Sequence, residues 1–352
     1  MKKILLVAGS LNTISSYEYH NFLLPLEKMG YKVDAFDYIA SIERMGRDAM
    51  NKQFLTMVKQ EQPELVFVVP QTDQFIPEVI DEINQHAITL GYFFDDMWRV
   101  EYSRFWARHF NFVTTSDVNG MRKFKEAGFT NVIYSPFACN TDIYCNKNLP
   151  KLYDVTFVGG YNPHREWYLN YLKKKGIDVQ IWGTGWPSNM LSSEDMINVF
   201  NQSRINLNLS NSVCWDIRYL LTPFRSFVKT RSPYRSLVNA LHVWKHAFHA
   251  TRQSDMKTVE QVKGRHFEIN ACGGFQLSYY VEGLERMYEI GEEIALFVSP
   301  EDLFQKIKYY LGHEDERESI AVRGYICTQQ EHTMEKRFQH IFGQIGQSEI
   351  YK

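Results

Sequence analysis

Short apolar segments alternate with amphipathic segments along the chain. In the first half, uninterrupted apolar runs such as Ile4–Ala8 and Leu65–Val69 stop at Gly or Pro, and stretches with helical periodicity follow them, as at Ser16–Met29 before Gly30. A run that is apolar throughout indicates a strand covered on both faces, because a half-exposed strand alternates. The same pattern predicts strands at Lys32–Phe36, Ile88–Phe94 and Asn111–Thr115 and helices at 46–61 and Ile76–Gln85.

A second series of the same kind follows a polar, proline-containing segment at 146–150, which we interpret as a linker. Asp154–Val158 leads into Gly159-Gly160 and so repeats the glycine-ended strand that opens the chain. Further strands are predicted at Val179–Trp182, Ile205–Leu209, Phe275–Leu277 and Ile294–Phe297. Strands that alternate with helices in this way predict an α/β protein of two tandem Rossmann-like domains.

Two helices near the C-terminus are well specified locally. Ser299 and Pro300 supply an N-cap and a first-turn proline for a helix that ends at Gly312. The last helix carries an apolar stripe at helical spacing, formed by Met334, Phe338, Ile341, Phe342 and Ile345. That stripe must pack against another part of the protein.

Composition and charge exclude several classes of protein. A length of 352 residues suggests two domains at roughly 150 residues each. The 39 Lys and Arg nearly balance the 41 Asp and Glu, so the chain lacks the basic surplus of a nucleic-acid-binding protein. Apolar runs stay well below the roughly 18 residues of a membrane span, and the apolar start resembles a buried strand more than a signal peptide. Five cysteines without a Cys-x-x-Cys pair indicate neither a disulfide framework nor a zinc site, and we expect a reduced, cytoplasmic protein.

The segment Lys263–Gly274, which reads KGRHFEINACGG, resembles the donor-site motif of GT-B glycosyltransferases. The resemblance is to the spore-maturation CgeB-like branch of the group 1-like transferases. It extends through Glu282-Gly283-Leu284 and the stretches 291–294 and 299–303, and it also covers 154–160 with Arg165 and 182–186. The N-terminal half matches mainly in layout, with Phe94-Asp95-Asp96 as its most recognisable patch.

The resemblance implies an N-terminal acceptor domain at 1–150, a nucleotide-sugar domain at 151–332 and a final helix at 333–352 that returns to the first domain. It implies transfer of a sugar from a nucleoside diphosphate donor to a glycan, protein or lipid-linked acceptor. Two alternatives stay open: a degenerate nucleotide-sugar-binding or coat assembly protein, and a GT-B-fold epimerase or hydrolase. A nicotinamide enzyme is disfavoured because neither glycine turn continues as Gly-x-Gly-x-x-Gly.

The resemblance also assigns the donor site. Glu268 takes the position that binds the ribose hydroxyls, as acidic residues do in dinucleotide sites, although an acid in the first turn of a helix is an alternative interpretation. Arg265 is assigned to the diphosphate, because a guanidinium matches phosphate oxygens in geometry and charge. Arg165 lies near the start of a helix that follows Gly159-Gly160, where an anion is also favoured. For each of the two arginines, the alternative interpretation is an ordinary surface residue without a role in binding. The proposed enzyme would be excluded if Glu268 were buried among core contacts and faced away from any crevice between the domains.

Several glycines and one acid complete the candidate donor site. Gly159, Gly160, Gly273 and Gly274 would let the backbone approach the donor closely. Glu282-Gly283 lies in a loop that in the family faces the transferred sugar or the diphosphate. Helix termination and a solvated turn are the alternatives for these positions.

Asp95 and Asp96 are the candidate catalytic base. They follow a predicted strand, and ligands of open α/β sheets gather at the carboxyl ends of strands. An inverting transfer needs such a base, whereas a retaining one need not have one; helix capping is the competing interpretation. The sequence contains no Asp-x-Asp triplet, so we expect metal-independent chemistry and no cofactor besides the donor substrate.

A basic block at about 213–258 departs from the family pattern. It holds eight Lys or Arg against two Asp, and its apolar residues repeat at helical spacing. Three interpretations remain open: contact with an anionic membrane surface or lipid-linked acceptor at the inner face of the membrane, self-association, and simple packing on the domain. His242 and His246 have metal-compatible spacing without an identifiable third ligand.

Overall fold

The computed structural model describes residues 2–11, 16–188, 190–210, 217–221, 241 and 259–350. The chain forms two compact units. The N-terminal unit comprises Met1–Ile143 and Gln329–Lys352, and the C-terminal unit comprises Tyr144–Thr328.

A six-stranded parallel sheet forms the centre of the N-terminal unit, in the order β2-β1-β3-β4-β5-β6. Its strands are β1 (Lys3–Ala8), β2 (Lys32–Asp37), β3 (Leu65–Val68), β4 (Ile88–Gly91), β5 (Phe112–Thr115) and β6 (Val132–Tyr134). Its helices are α1 (Leu24–Lys28, preceded by a π-helical turn at Tyr19–Leu23), α2 (Tyr38–Met45), α3 (Arg47–Glu61), α4 (Pro77–Ile83), α5 (Asp96–Trp106) and α6 (Gly120–Glu126). The side chains of β1 and β3 are buried on both faces of the sheet, apart from the partly exposed Lys3, which is why these strands are apolar throughout.

The C-terminal unit holds a second parallel sheet of five strands in the order β11-β10-β9-β7-β8. Its strands are β7 (Tyr153–Val158), β8 (Gln180–Trp182), β9 (Ser203–Asn208), β10 (Gln276–Tyr279) and β11 (Ala295–Phe297). Its helices are α7 (Pro163–Lys174), α8 (Ser193–Gln202), α9 (Ile217–Leu220), α10 (Arg265–Ala271), α11 (Pro300–Gly312) and α12 (Glu314–Glu331). The predicted architecture of two Rossmann-like α/β units is confirmed.

The last helix, α13 (Met334–Ile350), belongs to the N-terminal unit. Met334, Phe338, Ile341 and Ile345 are fully buried in one core cluster with residues of β1 and β3. The ring of Phe338 lies 5.9 Å from that of Phe67 on β3. The predicted return of the C-terminal helix to the first domain is therefore confirmed, and the apolar stripe packs on the sheet.

A buried polar network holds α10 against the second sheet. The side-chain amide of Gln276 on β10 donates to the carbonyl of His266 (2.9 Å) and to Asn270 Oδ1 (3.0 Å), and it accepts from Asn208 Nδ2 (2.8 Å). Buried polar groups in a low-dielectric interior favour one geometry when their partners are satisfied. This network positions the helix that carries Arg265 and Glu268.

In each sheet the strand order reverses once next to the first strand, between β1 and β3 in one unit and between β7 and β9 in the other. The carboxyl ends of the strands at such a switch point border the crevice in which open α/β sheets bind ligands. The second of these switch points lies beside Arg165.

Most of the basic block lies outside the described residues, including His242 and His246, and the three interpretations of the block stay predictions. Its described start is α9, where Tyr219 is buried and its ring lies 5.3 Å from that of His164 on α7. Arg218 pairs with Glu301 at 2.5 Å. In the part of the chain that the structure describes, no helix is both long enough and apolar enough to cross a membrane.

Candidate functional site

Arg165 spans the switch point of the second sheet. Its Nε donates to the carbonyl of Leu209, just after β9, at 2.7 Å, and its Nη1 donates to the carbonyl of Gly160, just after β7, at 2.9 Å. The side chain comes from the first turn of α7, whose N-cap Asn162 accepts a hydrogen bond from the backbone of His164. A permanent positive charge is therefore held at the carboxyl ends of two neighbouring strands.

The surroundings of Arg165 contain both signs of charge. Burial lowers the pKa of its guanidinium, nearby Glu260 raises this pKa and nearby Arg265 lowers it again. Two arginines that repel each other in a partly buried place are destabilising unless a negative charge compensates them. Arg265 and Glu260 therefore both lie within electrostatic range of Arg165, and the assignment of the two arginines to the diphosphate stays a prediction.

Arg265 and Glu268 form an ion pair on one face of α10. Arg265 Nη1 donates to Glu268 Oε2 at 2.7 Å, and the side chains are 27% and 7% exposed. The guanidinium also lies 5.1 Å above the ring centre of Phe200 on α8. Glu268 is therefore more deeply buried than an open ribose site requires, but its carboxylate is paired with Arg265 rather than enclosed by apolar side chains alone.

The two glycines after β7 differ in what surrounds them. A Cβ on Gly159 would lie 2.8 Å from the ring of Phe157. The backbone of Gly159 also lies close to Gly183, because a Cβ on Gly183 would lie 2.2 Å from the carbonyl oxygen of Gly159. Packing alone therefore explains the absence of a side chain at Gly159. A Cβ on Gly160 would meet nothing nearer than the carbonyl of Thr184 at 4.0 Å. The space beside Gly160 is open.

Gly273 and Gly274 lie beyond the opposite end of α10 from Arg265. Their N–H groups donate to the carbonyls of Asn270 and Ile269 and so end the helix. Gly273 has a φ of +67°, and a Cβ there would lie 2.6 Å from Asn146 Nδ2. A Cβ on Gly274 would lie 2.7 Å from Asn206 Nδ2. Helix termination and close packing account for both glycines, and the structure does not bring them next to Arg165.

Glu282 and Gly283 lie in the loop after β10. Glu282 is exposed, while Gly283 is buried with a φ of +93°. The N–H of Gly283 donates to Glu285 Oε2 at 3.1 Å. Gly283 therefore allows a left-handed turn at the carboxyl end of a strand neighbouring β9.

Asp95 and Asp96 lie after β4 in the N-terminal unit, in different environments. Asp96 is fully buried, accepts a hydrogen bond from the hydroxyl of Ser103 and lies near the buried Asp117. Burial raises the pKa of Asp96 to about 7. Asp95 is half-buried at the N-cap position of α5, where its side chain caps no backbone N–H. Of the two acids, only Asp95 has appreciable contact with solvent.

The sequence analysis missed Glu260, which is half-buried and acts electrostatically on Arg165. Its only sequence signal is its place just before the Lys263–Gly274 segment, directly after the basic block. Within the described ranges, no group of three or more His, Cys, Asp or Glu side chains is placed to hold a metal ion.

The structure is similar in fold to solved glycosyltransferases. HepE from Anabaena, solved in complex with UDP, aligns over 99% of this chain and 100% of its own with a TM-score of 0.56 at 10% identity. Sucrose-phosphate synthase from Thermosynechococcus elongatus aligns over 99% and 100% with a TM-score of 0.65 at 9% identity. A glycosyltransferase from Rickettsia africae aligns over 100% and 98% with a TM-score of 0.60 at 12% identity. These likenesses establish the GT-B fold that the sequence analysis predicted.

None of the curated proteins matches the chain. The sequence model of a family described as glycosyl transferase-like matches residues 165–231 and 215–343, which together cover just over half of the chain. The matched region includes Arg165, Arg265 and Glu268. The chain belongs to the glycosyl transferase-like family.

Proposed function

We propose that the protein transfers a sugar from a nucleoside diphosphate donor that binds at the switch point between β7 and β9. The observation that carries the proposal is Arg165, whose guanidinium bridges the carboxyl ends of these strands with Arg265 nearby. In sugar transfer the diphosphate gains negative charge as the anomeric bond breaks. Fixed positive charge at this place stabilises the leaving group in the transition state.

Glu268 binds the ribose in this proposal. A carboxylate can accept hydrogen bonds from both neighbouring hydroxyls, and it lies one turn of α10 beyond Arg265. Without donor the two side chains neutralise each other. When donor binds, the diphosphate replaces Glu268 as the partner of Arg265, and the ribose hydroxyls replace Arg265 as the partners of Glu268. Both charges thus keep partners throughout, which limits the cost of opening the pair.

In this proposal the guanidinium groups of two arginines compensate the negative charge of the diphosphate, so that no metal ion is needed. HepE was solved with UDP and with UDP-glucose, which makes uridine the first nucleotide to test here. Asp95, which is half-buried at the N-cap position of α5, is the better of the two candidate bases, because a base must reach the acceptor hydroxyl.

The open space beside Gly160 provides a test that leaves the protein core unchanged. We expect Gly160→Val to fold normally and to weaken UDP binding at least tenfold, because the new side chain fills the approach to Arg165. Gly312→Val is the matched control, because a Cβ on Gly312 would also have open space around it, with no other atom within 4 Å.

Isothermal titration calorimetry with UDP, GDP and TDP measures binding, and release of free sugar or transfer product measures turnover. The enzyme proposal predicts binding and turnover, both weakened by Gly160→Val. Binding without turnover in the presence of acceptor extracts would support the degenerate binding protein. Failure of all three nucleotides at millimolar concentration would exclude the proposed donor site.

A further inference from the structure

The C-terminal unit contains a polar pocket whose lining does not include Arg165, Arg265 or Glu268. It has a volume of about 190 Å³, room for roughly six water molecules at about 30 Å³ each. The segment 146–151, helix α12 and the turn that ends α10 form its walls. Gly273, one of the glycines predicted for the donor site, lines this pocket, but the structure explains it by helix termination and packing.

Lys151 is the charged group of the pocket that lacks full compensation. Its ammonium donates one hydrogen bond, to the carbonyl of Asn201 at 2.9 Å, and an ammonium carries three N–H groups. Burial lowers the pKa of Lys151 although nearby Glu318 raises it. Glu318, which also lines the pocket, has a second cationic partner in Arg317, whose Nη2 lies 3.4 Å from Glu318 Oε1.

Further donors face the same space. The side-chain oxygen of Asn146 accepts from the backbone N–H of Asn148 at 2.8 Å, which leaves the amide N–H groups of Asn146 for another partner. Asn148 lines the pocket as well. Lys151, Asn146 and Asn148 thus bring N–H donors to the pocket wall, which Asn201, Glu318 and Tyr325 share.

We propose that this pocket binds a phosphate group through Lys151, Asn146 and Asn148. A tetrahedral oxyanion offers several acceptor oxygens to N–H groups from different directions, and its charge compensates the lysine. The remaining space, bordered by Leu149, Val322 and Tyr325, accommodates a small organic group, so the ligand is either free phosphate or a phosphate monoester. The inference goes beyond the proposed function and does not depend on it.

The test uses the full-length chain and two probes, inorganic phosphate and glycerol 1-phosphate. Each is titrated in a thermal-shift assay at constant ionic strength, because a ligand of the native state raises the midpoint of unfolding in a saturable way. Tighter binding of inorganic phosphate identifies the free anion as the ligand, and tighter binding of the ester identifies a monoester. Both outcomes support the site.

Two variants with matched controls locate the binding. Lys151→Met removes the charge but keeps most of the stem, and Lys174→Met removes an exposed charge on α7. Val322→Trp fills the pocket from an exposed position on α12, and Ile326→Trp places the same ring one turn further on, at a residue that does not line the pocket. We expect at least tenfold weaker phosphate binding in Lys151→Met and Val322→Trp, and no change in either control.

UDP binding is measured in the same variants. UDP binding should be the same in Lys151→Met as in the unmodified protein. If the unmodified protein does not bind UDP, that result refutes the donor site and leaves the phosphate site standing. The phosphate site is refuted if Lys151→Met and Val322→Trp retain the phosphate-induced shift, or if sodium chloride at equal ionic strength reproduces it.

Discussion

Asp96 allows the electrostatics of the N-terminal unit to be tested quantitatively. Its carboxyl group is fully buried, and burial raises its pKa from 3.8 to about 7. The folded protein therefore binds the proton more tightly than the unfolded chain does. A rise of this size corresponds to about 4 kcal/mol, at about 1.4 kcal/mol for each tenfold change in proton affinity.

The sign of the effect follows from proton linkage. Below about pH 4 the carboxyl is protonated in both states and contributes no pH dependence. Between about pH 4 and 7 only the folded state keeps the proton, so stability falls as the pH rises. Above pH 7 the group is ionised in both states and the full cost is present. Asp96→Asn removes this titration, so its stability relative to the unmodified protein should increase by up to about 4 kcal/mol between pH 4 and pH 8.

Urea unfolding followed by circular dichroism, at several pH values from 4 to 8.5, measures this difference. Asp48→Asn, an exposed position in the first turn of α3, controls for the loss of one negative charge. Ser103→Ala should move the titration to higher pH, because the Ser103 hydroxyl lowers the pKa of Asp96. A difference between Asp96→Asn and the unmodified protein that does not vary with pH would refute the reasoning. Loss of sugar transfer in a folded Asp96→Asn protein would show instead that Asp96 is catalytic.

Two further predictions concern packing. Phe338→Ala should destabilise the N-terminal unit by about 3–5 kcal/mol, since the side chain is fully buried against the sheet. Phe342 is only partly buried on the same helix, so Phe342→Ala should destabilise the protein clearly less. Equal urea midpoints for the two variants would contradict the packing described for α13. Gly273→Ala should cost more than Gly176→Ala, for which about 1–2 kcal/mol is expected, because both glycines have positive φ but only Gly273 faces Asn146. Adding Asn146→Ala to Gly273→Ala should recover the excess, and a lack of recovery in the thermal midpoint would show that the contact with Asn146 is not its source.

Strands β1 and β3 could be predicted because they are buried on both faces of their sheet, which makes them apolar almost throughout. Strand β9 is also central, but Asn206 and Asn208 interrupt its apolar residues. Strand β6 (Val132–Tyr134) was not predicted. Helix α5 was missed because its backbone is not helical at Arg99, which interrupts the 3.6-residue repeat. Helix α2 follows β2 directly, without a turn signal, and is capped by Asp37, the last residue of the strand.

The candidate site could be predicted only in part. The resemblance identified Arg165, Arg265 and Glu268, but the contacts of Arg165 with the carbonyls of Leu209 and Gly160 depend on strand order, which the local sequence does not encode. The sequence also does not show whether a glycine is required by close approach of a ligand or by close packing of the protein. Gly160 leaves open space, whereas close packing explains Gly273.

The central claim is that Glu268 binds the ribose of a nucleoside diphosphate donor. Calorimetric titration of UDP and 2′-deoxy-UDP against the unmodified protein and Glu268→Gln tests this contact directly, with circular dichroism to establish that the variant is folded. A hydrogen bond to a charged group contributes about 1.5–3 kcal/mol, so the unmodified protein should bind UDP roughly 10- to 100-fold more tightly than the deoxy compound, and Glu268→Gln should bind both with nearly equal affinity. Equal discrimination between the two nucleotides in both proteins would contradict the claim.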